Sequence, residues 1–267
     1  MKTVIQLYDN LKQKVQFLYT QLKLDRQEKI KGRKLALSIV DIITLSIFKQ
    51  KNHIATKKAV YEIFNLSCSY KTMVVNMNRF ARIAGILLAF MLNLNRSSSH
   101  PVKHTDSTDI PVCLNKNAKR HKTIRGLAQW GYSSKGLMYG LKLHITTDLK
   151  RKLLSLRFTS GNRDERTIFM KLNEGLSGMF VADAGYISEK LQKEFYREHK
   201  RILFAQPCKN MRKIITAFQY YLYNTRMTIE LNFRNLKLFY GILTSMPRSV
   251  GGYLANYIYS LLAYTIA

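Results

Sequence analysis

Carboxylates are the scarce residues of this 267-residue chain, sixteen Asp and Glu against forty-four Lys and Arg, so the place of each acid is informative. None occurs between Glu62 and Asp106 or between Asp109 and Asp148, and Glu230 stands alone after Glu198 in a stretch with nine Lys or Arg. Carboxylate oxygens are hard donors suited to Mg2+, and rigidly held acids are what a metal-assisted attack on a phosphodiester requires. At about 100° per residue, Tyr223, Arg226, Glu230 and Lys237 fall within an arc of about 60° of one helix. That face presents a ring, a guanidinium, a carboxylate and an ammonium in order. Leu222, Ile229, Phe233, Leu236 and Tyr240 form an adjoining apolar stripe that can dock on a sheet. The plainer reading is an ordinary amphipathic helix with an Arg226–Glu230 pair at i, i+4, worth about 0.2–0.5 kcal/mol.

Asp183 follows a short apolar run in Phe-Val-Ala-Asp-Ala-Gly-Tyr. Ligands of open α/β sheets bind beyond the carboxyl ends of strands, and Gly185 permits a sharp turn there. An Asp in this place also serves as a helix N-cap. Asp106 and Asp109 lie three positions apart on a strand, hence on opposite faces, so only one can face a shared site. Asp106 is the better candidate; Asp109 belongs to the other face or caps the turn before Pro111. The run Lys116, Lys119, Arg120, His121, Lys122 and Arg125 reads as a solvated loop or a DNA clamp. Trp130 and Tyr132 are suited to base stacking or to the core. The six histidines have no zinc-site spacing.

These residues need a scaffold. The first hundred residues repeat apolar side chains at helical spacing, through Leu35, Ile39, Ile42, Ile43, Ser46 and Ile47, then Val75, Met77, Phe80, Ile83 and Leu87. The Ser-rich segment at 95–101 reads as a linker. Beyond it the pattern changes to strands at 103–112, 139–147, 153–159, 179–182 and 201–205, with helices at 188–197, 211–239 and 253–267. Strands in series followed by strands alternating with helices predict an α/β domain with a mixed sheet. The expected organisation is a helical region over 1–95, a linker over 96–102 and a catalytic domain over 103–267.

Charge narrows the partners. The formal net charge of +28 and pI near 10.1 call for a polyanion: DNA, RNA or an anionic membrane. The apolar runs at 83–92 and 253–267 fall short of the roughly 20 residues of a span and read as core helices. Cys68, Cys113 and Cys208 suggest neither a disulfide framework nor a zinc site, and no secretory signal opens the chain. A reducing cytoplasm fits.

Together the motifs resemble those of bacterial insertion-sequence transposases of the DDE class. The most specific match is Y-(2)-R-(3)-E-(6)-K, filled by Tyr223, Arg226, Glu230 and Lys237; Asp-Ala-Gly-Tyr at 183–186 and Asp-Ser-Thr at 106–108 resemble the second and first aspartate motifs. Residues 139–148 and Gly161-Asn-Arg-Asp-Glu165 also resemble blocks of these enzymes. The likeness spans roughly residues 100–267. Members commonly carry Pro where this chain has Asp109, which leaves Asp109 as the alternative first carboxylate; the serine neighbour favours Asp106. The resemblance implies an RNase H-like core in which Asp106, Asp183 and Glu230 hold two Mg2+ ions, with Mn2+ able to substitute. It makes Tyr223, Arg226 and Lys237 DNA-contacting or site-supporting residues; Lys119, Arg120 and Lys122 are implicated by charge. It further implies double-stranded DNA as partner, a homodimer on paired element ends, DNA-end recognition by the helical N-terminal region, and a place on the bacterial nucleoid. The alternatives are an RNase H-like nuclease without strand transfer and a non-catalytic basic DNA-binding remnant.

Overall fold

The computed structural model describes residues 3–26, 35–133, 136–207, 211 and 214–266. Cys208 and three of the nine basic residues after Glu198, Lys209, Arg212 and Lys213, lie outside them, as does part of the segment read as a helix from 211. The chain divides into two compact units, one of residues 1–91 with 236–267, the other of residues 92–235.

The first unit is helical. It holds α1 (Val4–Gln21), α2 (Ile39–Lys51), α3 (Lys57–Phe64), α4 (Tyr70–Arg79), most of α5 (Ala81–Ser97) and α10 (Val250–Ile266). α2 is buried on almost every side, with Ile42, Ile43, Leu45, Ile47 and Phe48 in the core. Its buried Thr44 and Ser46 satisfy their hydroxyls on carbonyls one turn back, as polar groups inside a core must. α10 packs on α2 and α4, with Gln50 donating to the Asn256 side chain at 2.8 Å and the Tyr259 hydroxyl to the Met77 carbonyl at 2.9 Å. The apolar runs at 83–92 and 253–267 are therefore core helices, burying Ile83, Leu87, Tyr257 and Leu261. Among the described residues no single helix is long and apolar enough to cross a membrane. The last helix was expected with the catalytic domain. It packs instead with the N-terminal helices, because its apolar faces complete their core.

The second unit is built on a six-stranded mixed sheet. β1 (Val102–Pro111) lies at its centre, antiparallel to β3 (Gly136–Asp148) and parallel to β5 (Met179–Ala182); β6 (Ile202–Ala205) continues the parallel edge. β2 (Gln129–Ser133) and β4 (Leu153–Ser160) pair with successive halves of β3, residues 136–140 and 141–147. They meet at Gly131 and Gly161, where a Cβ on Gly131 would come within 2.2 Å of the Gly161 carbonyl oxygen. α6 (Arg166–Leu172) and α7 (Glu189–Arg197) cover one face, α8 (Ala217–Thr225) the other, and α9 (Met227–Leu238) follows α8. Strand alternation supplies both cores. Phe180, Ala182, Leu203 and Ala205 join Phe169, Leu191 and Phe195 on one side, while Met179, Val181 and Phe204 join Leu222 and Tyr223 on the other. This is the RNase H-like mixed sheet flanked by helices.

Two local expectations change. The segment read as a linker is shortened at both ends, since α5 runs to Ser97 and β1 begins at Val102, which leaves residues 98–101 between them. Ser97 and Ser98 bond back to the Leu94 carbonyl, and Asn95 and Arg96 donate to the Leu153 and Leu154 carbonyls at 2.9 and 2.8 Å. The single helix expected over 211–239 is α8 and α9, parted at Arg226. Thr225 and Thr228 donate their hydroxyls to carbonyls three residues back, a side-chain bond that competes with the helical ladder.

Candidate active site

Asp106 leaves β1 on the face that meets α8 and α9, two positions after His104 on that same face. Buried His104 joins strand to helices: Nε2 lies 2.8 Å from the Thr225 hydroxyl and Nδ1 3.3 Å from that of Thr228. Burial pushes its pKa down to about 4, so the ring is neutral. This anchor fixes the α8–α9 joint opposite Asp106, and Arg226 sits at that joint.

Arg226 spans two of the three motif acids. One terminal nitrogen donates to Asp106 Oδ2 at 3.2 Å, the other to Glu230 Oε1 at 2.8 Å. The i, i+4 pair foreseen in the sequence thus exists and reaches further, to a central strand. Glu230 remains half exposed while Asp106 is largely covered. Burial pushes the Asp106 carboxyl up to about 7; nearby Asp183 and Glu165 add to the rise, against the Ser107 amide and the Arg226 charge. Asp183 combines both roles that its position allowed. It ends β5 and it N-caps the 3-10 turn Ala184–Tyr186 by accepting the Gly185 N–H. A Cβ at Gly185 would stand 3.2 Å from Asp183 Oδ1 and 3.7 Å from Glu165 Oε2, so the glycine leaves room where two carboxylates approach each other.

Glu165, absent from the sequence candidates, also reaches this part of the sheet. Its Oε1 accepts from the Ser107 hydroxyl and, at 3.3 Å, from Lys142. Its signal was slight: an acid in an acid-poor chain, inside the Gly161–Glu165 block. Asp109 lies on the opposite face of β1 from Asp106, in register with Lys142. Tyr223 is buried, and its hydroxyl donates to the Ala205 carbonyl at 3.2 Å. It ties α8 to β6. Lys237, in the last turn of α9, belongs to the helical unit. Lys119, Arg120 and Lys122 are exposed on the 3-10 turn and loop after β1. Trp130 packs edge-on against Tyr139 yet stays exposed, as Tyr132 does.

Among the described residues no three His, Cys, Asp or Glu side chains are gathered closely enough to hold a metal ion as they stand. The donors nevertheless fit a hard cation. Asp106, Asp183 and Glu230 are all oxygen ligands, the first titrates late beside other carboxylates, and a guanidinium already bridges two of the three.

The sequence profile of the family described as Transposase DDE domain matches residues 96–250, more than half of the chain. The chain belongs to the DDE transposase family. The match covers the sheet, Arg226 and all three motif acids. The fold is also similar to that of the piggyBac transposase in its synaptic complex with hairpin DNA, with a TM-score of 0.51 at 10% identity, over 94% of this chain and 71% of that one. A comparison with curated protein sequences finds no match. In this DDE transposase the first and second aspartate motifs end up on adjacent parallel strands, β1 and β5, and the glutamate motif on the helix facing them.

Proposed function

We propose that this DDE transposase moves a bacterial insertion sequence, cleaving a phosphodiester at the element end and joining the freed end to target DNA. The observation that carries this reading is the Arg226 guanidinium held between Asp106 and Glu230, with Asp183 close enough to shift the Asp106 carboxyl. Asp106, Asp183 and Glu230 would hold two Mg2+ or Mn2+ ions, which supply activation of the attacking oxygen and stabilisation of the leaving one. Asp106 is oriented for this at both oxygens, Oδ1 by the Ser107 amide at 2.8 Å and Oδ2 by Arg226. Arg226 must release a carboxylate for Glu230 to join the set, and the freed guanidinium suits a phosphate. Lys119, Arg120 and Lys122 meet the backbone of double-stranded DNA, and the helical unit recognises the element end, two copies acting on paired ends.

In the first reaction water attacks, the P–O bond breaks, and a 3′-hydroxyl leaves. In the second that hydroxyl attacks a target phosphodiester and expels another 3′-hydroxyl, so one bond forms for each one broken. Incubation with Mn2+, labelled element-end DNA and supercoiled plasmid tests the reading. Joined products are expected. Nicked ends without joining would favour the nuclease alternative, and DNA binding without nicking the non-catalytic remnant.

A further inference from the structure

We propose that Glu165 is a positioning residue of the acidic site, acting on Asp106 through Ser107; the inference rests on the metal-holding role proposed for that site. Glu165 occupies the N-cap of α6, yet its side chain makes no capping bond. Its backbone is already helical, and the short side chains that usually cap a helix are those of Ser, Thr, Asp and Asn. Here Asp164 accepts the Arg166 N–H at 2.9 Å instead, and Glu165 reaches across to the sheet.

What it reaches is specific. Oε1 takes the Ser107 hydroxyl and the Lys142 ammonium, so one carboxylate ties the loop after β4 to β1 and β3. The amide of the same Ser107 donates to Asp106 Oδ1 at 2.8 Å. β1 is therefore gripped at consecutive residues on its two faces, Ser107 by Glu165 and Asp106 by Arg226. Fixing the Ser107 side chain limits rotation of the peptide whose N–H orients Asp106. Oε2 lies 3.7 Å from the place a Gly185 Cβ would take, beside the turn capped by Asp183, and the Glu165 charge is near enough to act on the Asp106 carboxyl. A salt bridge serving stability alone gains nothing from lying beside two more carboxylates, since like charges raise its cost. Beside ion ligands, such a partner orients the donor and adds to the field that a cation neutralises.

The test is Mn2+ binding by the full-length, DNA-free protein, followed by electron paramagnetic resonance of the unbound ion. Glu165→Gln and Ser107→Ala should each weaken Mn2+ binding about tenfold. The double variant should be no weaker than either single one, because both act on one chain of contacts. Ser107→Ala removes only one hydroxyl and serves if Glu165→Gln does not fold. Wild-type affinity in both single variants, or independent additive losses, would overturn the positioning role. Asp106→Asn separates the layers: if it loses Mn2+ while the other two bind normally, only this inference fails. If Asp106→Asn itself binds as wild type, the metal-site reading falls with it.

Discussion

Arg226 meets Asp106 and Glu230 through two different nitrogens of one planar group. A lysine, being a point charge, cannot reproduce that span. If the guanidinium competes with ions for these carboxylates, Arg226→Gln should raise the Mn2+ affinity of the DNA-free protein while lowering DNA cleavage. Calorimetric titration would show it, and weaker Mn2+ binding in the variant would instead mark Arg226 as an orienting group. His104 carries a separate prediction. Its folded pKa of about 4, depressed by burial, lies below the ordinary value of 6.5, so the unfolded chain binds more protons between those limits. The stability it contributes is fully present above about 6.5 and is lost as pH falls towards 4, on the order of 3 kcal/mol at full extent. Buried His144, lowered to about 4 by burial and by Lys142, acts in the same direction. Asp106, raised to about 7, acts in the opposite direction over the same range, so the test is a difference: His104→Gln should lose less melting temperature than the wild type between pH 7 and 5, and an unchanged slope would contradict a neutral buried imidazole.

At the scale of elements, the site depends on strands that meet end to end. A Cβ on Gly131 has no room against the Gly161 backbone. Gly131→Ala should therefore cost about 1–3 kcal/mol or more, read as a lower urea midpoint. The strand pattern was legible because alternation is local: Phe180, Val181 and Ala182 send side chains to opposite cores just as their spacing requires. The placement of Asp106 within β1 and of Asp183 just beyond the end of β5 was legible for the same reason. The break at Arg226 was not, since Thr225 and Thr228 part the helix through side-chain bonds that no periodicity reveals. Glu165 stayed hidden because its partners Ser107 and Lys142 are 58 and 23 residues away and meet it only after the strands pair. The extent of α5 was missed because the serines of 97–99 look like linker, whereas the first two bond back onto a helix carbonyl.

For the whole molecule, the charge surplus and the acid site are two parts of the proposed function: +28 would bring a polyanion to the surface, and the few acids would do the chemistry on it. If Lys119, Arg120 and Lys122 each meet one phosphate, their joint replacement by alanine should flatten the salt dependence of DNA binding by about 2.7 units, at about 0.9 per phosphate. An unchanged slope would return them to the role of a solvated loop. The division into a helical unit and a sheet unit places all three motif acids, Glu165 and Arg226 in the sheet unit. The most direct measurement is cleavage of element-end DNA in Mn2+ by the wild-type protein beside Asp106→Asn, Asp183→Asn and Glu230→Gln, with DNA binding followed in parallel. The wild type should cut and each variant should fall to background while still binding DNA. Undiminished cutting by any one of the three would contradict the role assigned to that carboxylate.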